Sequence, residues 1–218
     1  MRTAGAIIER ERETSLCTSS PLFKEQAIQL KQSYSFDKLS EGCSPDIQLS
    51  LLHRLDKVYL SAAPTLGVVE AAFGTKNAAF WLEVQITSID TFQGSREGDS
   101  ESIKELSELI LSQYKSLNLY EFALFIARFK LGMYGKFYGA FDAIAVAEAL
   151  KKFVKDKEVE IDVVERRVQA EKRNETRKMW PDGYTSLSWY QECKKRRAAN
   201  DVAWLEEHKE FLNLTNRL

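Results

Sequence analysis

Proline, histidine and cysteine are all scarce in this chain of 218 residues, and each shortage closes off a class of reading. Proline stands only at Pro21, Pro45, Pro64 and Pro181, so long stretches are free of the residue that breaks helices by lacking an amide hydrogen. The two histidines, His53 and His208, fall in no triad, zinc or phosphatase spacing. His53 lies beside the Leu51/Leu55 face of an expected helix and reads as a surface residue. Cys17, Cys43 and Cys193 are far apart and form no C-x-x-C pair, which suits reduced thiols rather than a disulfide framework or a metal site. No apolar run reaches the ~20 residues that a membrane-spanning helix requires. The opening Met1–Ile8 is too short an apolar run to read as a secretory signal. The expected location is cytoplasmic, with no membrane contact. A net charge of −1 argues against global polyanion binding, although local patches are compatible with it.

What is present is helical periodicity. Scarce proline and long stretches of 3.6-residue spacing indicate an all-α protein: an irregular helical bundle of about seven to nine helices. Ser20-Pro21 starts the first helix, which runs through Ala27 and Leu30, since serine caps and proline is tolerated in the first turn. Residues 33–43 look irregular. Ser44-Pro45-Asp46 repeats the start signal, and Ile47, Leu51, Leu55, Val58 and Ala62 mark one helix face. A short helix from Pro64 to Gly74, a longer one over 75–92 and another carrying Ile103, Leu106, Ile110 and Tyr114 follow. Leu119 to Leu131 is apolar almost all round, the pattern of a helix at a bundle centre. Gly132 is placed to end it in a left-handed conformation. Asp142 is placed to cap a long helix over 142–178, with an apolar seam through Leu150, Phe153, Lys157, Ile161, Val164 and Val168. Trp180-Pro181-Asp182-Gly183 is a turn signal, after which Leu187–Leu212 reads as one or two thinner amphipathic helices. The organisation expected is a peripheral segment 1–44, a core bundle 45–178 and a helical C-terminal arm 179–218.

Three features carry candidate chemistry. The connector Gly132-Met133-Tyr134-Gly135-Lys136-Phe137-Tyr138-Gly139 puts aromatics where loops ordinarily carry polar residues. Either its aromatics pack the bundle end, or Tyr134, Lys136 and Tyr138 form a surface that stacks on bases and contacts phosphate. It is not a Walker-type phosphate-binding loop, because Phe137 stands where serine or threonine would hold magnesium. Glu121 and Arg128 share one stripe of the apolar helix, so each needs a partner from another helix if that stripe is buried. Third, residues 161–200 hold ten basic and six acidic side chains, while the other 178 residues sum to −5. The basic run Arg166, Arg167, Lys172, Arg173, Arg177 and Lys178 is followed by Lys194-Lys195-Arg196-Arg197. Such asymmetry fits a nucleic-acid contact or a solvated helix surface with i,i+4 pairs. Nearby Trp180, Tyr184, Trp189 and Tyr190 either stack on bases or dock the arm.

A resemblance adds to this. Pro64-Thr65-Leu66, Phe73-Gly74, Trp81-Leu82-Glu83-Val84-Gln85-Ile86, Glu121 with Leu124-Phe125, and Phe129 through Gly139 together resemble a family of uncharacterised helical proteins encoded by prophages and mobile elements of gut bacteria. The similarity covers roughly residues 60–155 and is sharpest at Lys-x-Gly-x-Tyr-Gly-x-Phe-Tyr-Gly. Family members continue with aspartate then proline, whereas here Asp142 is followed by Ala143. The resemblance implies a bacterial host and a mobile-element setting, but no activity.

The reading that results is a non-enzymatic binding or accessory protein. Tyr134, Lys136, Tyr138 and the basic arm would contact DNA or RNA in a replication accessory resembling a helicase loader. The alternative is a protein–protein adaptor that uses the aromatic connector, or a homo-oligomer joined through the C-terminal arm. No cofactor and no metal are expected.

Overall fold

The computed structural model describes residues 21–93, 100–135, 141–178 and 183–209. Among them all regular secondary structure is helical, as the spacing of apolar residues implies. The elements are α1 (Pro21–Ser33), α2 (Phe36–Gly42), a 3-10 turn (Pro45–Ile47), α3 (Gln48–Leu51), α4 (Leu55–Leu60), α5 (Leu66–Phe73) and α6 (Thr75–Gln93). They continue with α7 (Ser100–Gln113), α8 (Leu119–Lys130), α9 (Ala143–Lys178), α10 (Ser186–Ala198) and α11 (Val202–Glu207). The chain divides into two units, one running to Ile161 and the other from Asp162, so the division falls inside α9.

In the first unit α8 is the central helix. Phe122, Ala123, Leu124, Phe125 and Ile126 are all 0% exposed, which a helix apolar on every face requires. Burying one such large side chain contributes about 1.5–3 kcal/mol. Aromatic rings extend from it: Trp81 lies 5.9 Å from Phe122, and Phe125 lies 5.7 Å from Phe153 of α9. Of the N-terminal segment set apart above as peripheral, the described residues from 21 contribute to the packing of this unit. Ala27 of α1 is buried with Val68 and Ala72 of α5, and Leu39 of α2 joins the main core.

Two expectations change. Residues 33–43 are not irregular, because Ser35 caps α2 by accepting a hydrogen bond from the Lys38 amide and the helix buries Leu39. The face predicted through Ile47, Leu51, Leu55 and Val58 is real, but it is divided between a 3-10 turn, α3 and α4, with Arg54 non-helical at the break. Both short helices pack on α8, and the break lets Leu51 and Val58 reach the core together.

The starts of α5 and α8 are lashed side by side. The Leu66 amide donates to the Leu117 carbonyl (2.8 Å), the Gly67 amide to Lys115 (2.9 Å), and the Leu119 amide to Pro64 (3.1 Å). These bonds satisfy amides that a helix start leaves without intrahelical partners. Thr65 caps α5, and Asn118 with Glu121 forms a reciprocal capping box on α8. Gly67 allows the approach: a methyl there would meet the Lys115 carbonyl oxygen at 3.2 Å.

The other expected caps are also present. Gly132 follows α8 with φ of +72°, a region that costs glycine little. Asp142 Oδ1 accepts hydrogen bonds from the amides of Ile144 (2.9 Å) and Ala145 (3.2 Å) at the start of α9.

The second unit has its own small core. Trp189 and Cys193 of α10 are buried against Tyr184 and Trp204. Tyr184 meets Trp189 edge-on at 5.2 Å, and the His208 ring stacks on Trp204 at 4.4 Å. Arg196 ties α10 to α11, with Nε 2.7 Å from Glu192 Oε1 and Nη1 2.6 Å from Asp201 Oδ2. Hydrogen bonds from Arg196 hold the Asp201 carboxyl below its ordinary range, and the Trp204 amide adds to that effect.

Candidate nucleic-acid interface

Most described basic side chains of the second unit face solvent. Every described side chain of α9 from Gln169 to Glu175 is exposed, which is where the apolar seam fades in the sequence. Arg166, Arg167, Lys172 and Arg173 are all exposed. Helical spacing puts Arg166 and Arg173 on one stripe, seven residues apart, and the position of Arg177 continues it. Arg167 makes only a long pair with Glu171, at 3.8 Å with both side chains more than half exposed, and such a pair holds its cation weakly. Arg173 Nε donates to the Gln169 carbonyl at 3.3 Å within its own helix. The side chains of Arg177 and Lys178 lie outside the described residues.

On α10 the four-residue basic cluster separates by role. Arg196 faces Glu192 and Asp201 and lies over the Trp204 ring at 5.5 Å, so its charge is engaged within the unit. Lys194, Lys195 and Arg197 are exposed. Tyr190, 57% exposed, precedes Lys194 by four residues and Arg197 by seven, so the three share one stripe. A phenol ring flanked by two cations is the pairing that holds an unstacked base beside its phosphates. The aromatics named in the sequence therefore divide as well: Trp189 is core, Tyr184 is half-buried against it, Tyr190 faces solvent, and Trp180 lies outside the described residues. The i, i+4, i+7 spacing of Tyr190, Lys194 and Arg197 was available in the sequence. The contiguous run of four cations obscures it, because only their helical positions separate Arg196 from the other three.

Residues 100–200 match a family of unknown function, DUF6633. The matched span is a little under half of the chain and includes α7, α8, α9 and α10. It overlaps the resemblance noted above from residue 100 to about 155. The family is described without an activity, so the match marks an uncharacterised domain and supplies no chemistry. No curated protein and no solved structure matches the chain.

The connector candidates meet different outcomes. Tyr134 is half-buried, with its ring 5.9 Å from Phe125. Burial raises its phenol pKa, while the neighbouring Arg128 guanidinium, hydrogen-bonded to it, pulls the other way. This residue follows the packing account of the connector. Lys136 and Tyr138 lie outside the described residues.

Glu121 and Arg128 find their partners on α9. Lys157 Nζ lies 3.1 Å from Glu121 Oε2, and Arg128 Nη1 lies 2.9 Å from Glu160 Oε2. The Tyr59 hydroxyl donates to the same Glu160 oxygen at 2.6 Å. Burial first, and then this bond, raises the Tyr59 pKa, so the phenol stays protonated. A carboxylate and a cation satisfied in this way lock α4, α8 and α9 together. Among the described residues no group of histidine, cysteine and carboxylate side chains could hold a metal ion. Among them, too, no helix is long and apolar enough to cross a membrane.

Proposed function

We propose that this protein is a non-catalytic nucleic-acid-binding accessory, and that it meets single-stranded DNA or RNA through the basic helices of its second unit. The observation that carries the reading is the exposed stripe Tyr190–Lys194–Arg197 on α10, together with exposed Arg166, Arg167, Lys172 and Arg173 on α9. Aromatic stacking tolerates any base, and the cations follow the backbone, so binding is expected to have little sequence preference. The resemblance to prophage and mobile-element proteins supports a role in mobile-element replication, of the helicase-loader kind, in the bacterial cytoplasm. Glu121 and Arg128, the charges best placed for catalysis, are engaged in ion pairs. That supports a structural role for them.

Fluorescence anisotropy with a labelled 30-nucleotide single strand tests the proposal. Affinity should fall steeply between 50 and 200 mM salt, because each neutralised phosphate releases counterions. Replacing Lys194 and Arg197 with glutamine should lower the slope of log K against log salt by roughly 1.4, or about 0.7 per lost contact. Tyr190→Ala should cost about 1–3 kcal/mol of binding. No measurable binding at 50 mM salt refutes the proposal.

The adaptor reading is supported by Leu131 and Met133, which are 61% and 55% exposed at the start of the connector. A stable complex that Met133→Asp dissolves, together with absent nucleic-acid binding, would replace the first reading.

A further inference from the structure

A sizeable cleft lies in the first unit. It measures about 710 Å³ and is bounded by α1, α2, the 61–65 segment and Tyr120 of α8. That volume is within the range of small-molecule sites, roughly 300–1,000 Å³. Three observations define what it would accept.

The first is charge. The chain has slightly more acidic than basic residues, yet among the described residues no aspartate or glutamate lines this cleft, whereas Lys38 and Lys57 do. Lys57 Nζ sits 4.9 Å from the centre of the Tyr120 ring. An ammonium held over an aromatic face keeps its donors for a further partner.

The second is an orphan. Ser61 is a lining residue of the cleft, and its buried hydroxyl oxygen has no hydrogen-bond partner among the described residues. A buried hydroxyl left unpaired is destabilising, so native structures seldom keep one without a use.

The third is the remaining surface. Leu30, Leu39, Pro64 and Val68 give the cleft an apolar wall. Cys43 also lines it, but burial pushes its thiol up to about 11, with Lys57 pulling modestly the other way. The thiol is therefore protonated near neutrality and is no nucleophile.

We infer that this cleft binds a small amphipathic anion, a carboxylate or phosphate ester with an apolar body. Its acid group would lie at Lys57 and Ser61, and its body along Leu30, Leu39 and Val68. This site is independent of the nucleic-acid reading and stands or falls without it.

Calorimetric titration of the full chain with sodium octanoate, and with octanol as the uncharged counterpart, tests it. Octanoate should bind saturably, and octanol roughly tenfold more weakly or less well still, because one charge-assisted hydrogen bond is missing. Lys57→Gln should weaken octanoate by about the same factor. Gly42 lines the cleft, and a methyl built there meets nothing within 4 Å, so Gly42→Trp should fill the space and abolish binding while circular dichroism stays unchanged. Ser61→Ala separates ligand contact from folding: it should weaken octanoate yet leave the unliganded protein as stable or slightly more so. Equal affinity for octanoate and octanol overturns the inference. So does an absence of saturable octanoate binding, or octanoate affinity that survives Gly42→Trp.

Discussion

Replacing Lys157 with methionine should damage the first unit more than replacing its partner Glu121 with glutamine, and the structure says why. The two charges are 3.1 Å apart, with side chains 15% and 7% exposed respectively. At that distance their attraction is about 5 kcal/mol for an effective dielectric of ~20, most of it offset by the cost of removing both from water. Lys157→Met leaves the more buried member, the Glu121 carboxylate, without its cation. It keeps the hydrogen bond from the Asn118 amide at 3.0 Å, and its place in the first turn of α8 adds about 0.3–1 kcal/mol from the helix dipole. The expected loss is therefore about 3 kcal/mol, at the low end of the range for a broken buried pair. Glu121→Gln instead strands a lysine whose flexible stem can swing its ammonium toward water, and it should cost only about 1–2 kcal/mol. The double variant should cost no more than Lys157→Met alone, because no unpaired charge remains. Native-state hydrogen exchange on the α8 amides is the appropriate assay, since it reports the first unit separately from the second. A Glu121→Gln loss equal to or larger than that of Lys157→Met would refute this account, as would a double variant worse than both.

Two further outcomes follow from the same structure. Between the unfolded thiol value of 9.0 and about 11, Cys43 stays protonated when folded and ionises when unfolded. The folded state then holds more protons, so stability should fall as pH rises, by about 1.4 kcal/mol per unit. The falling limb in urea titrations from pH 8.5 to 11 should be shallower in Cys43→Ala, and an unchanged slope would exclude this thiol as its source. Gly67→Ala should destabilise the first unit by about 1–3 kcal/mol, because the added methyl presses on the Lys115 backbone oxygen and the Phe23 ring. A neutral or stabilising effect in urea denaturation would mean that the 115–117 segment yields more readily than its three tethering bonds imply.

Much of this architecture is legible without coordinates because local signals and burial agree. The all-round apolar pattern of 119–131 points to the interior, and residues 121–128 are all buried, although Leu131 beyond the helix end is exposed. Gly132 and Asp142 act at the helix ends as their chemistry requires, and the need of Glu121 and Arg128 for outside partners is met by Lys157 and Glu160. The segment around α2 was missed because Phe36, Asp37 and Leu39 provide a single turn of pattern, too little to outweigh the serines and glycine around it. The break between α3 and α4 was missed for the opposite reason. Their apolar spacing is continuous, and only packing on α8 reveals that two short helices fit where one would not. The arm's aromatics were ambiguous because tryptophan and tyrosine serve cores and surfaces alike. The cleft is not legible in the sequence, since its lining comes from residues 26–43, 57–68 and Tyr120, and its defining property is a lack of carboxylates among the described lining residues.

The paired starts of α5 and α8 bear on how this chain can be cut and spliced. Residues 64–67 and 115–119 hold one another in register, so each stretch is a template for the other. A tag or peptide inserted between Tyr114 and Asn118 would unfasten two helix origins at once, although the site looks like an ordinary surface turn. Engineered breaks and labels belong elsewhere, and a library of random insertions should show a bare gap at this one loop.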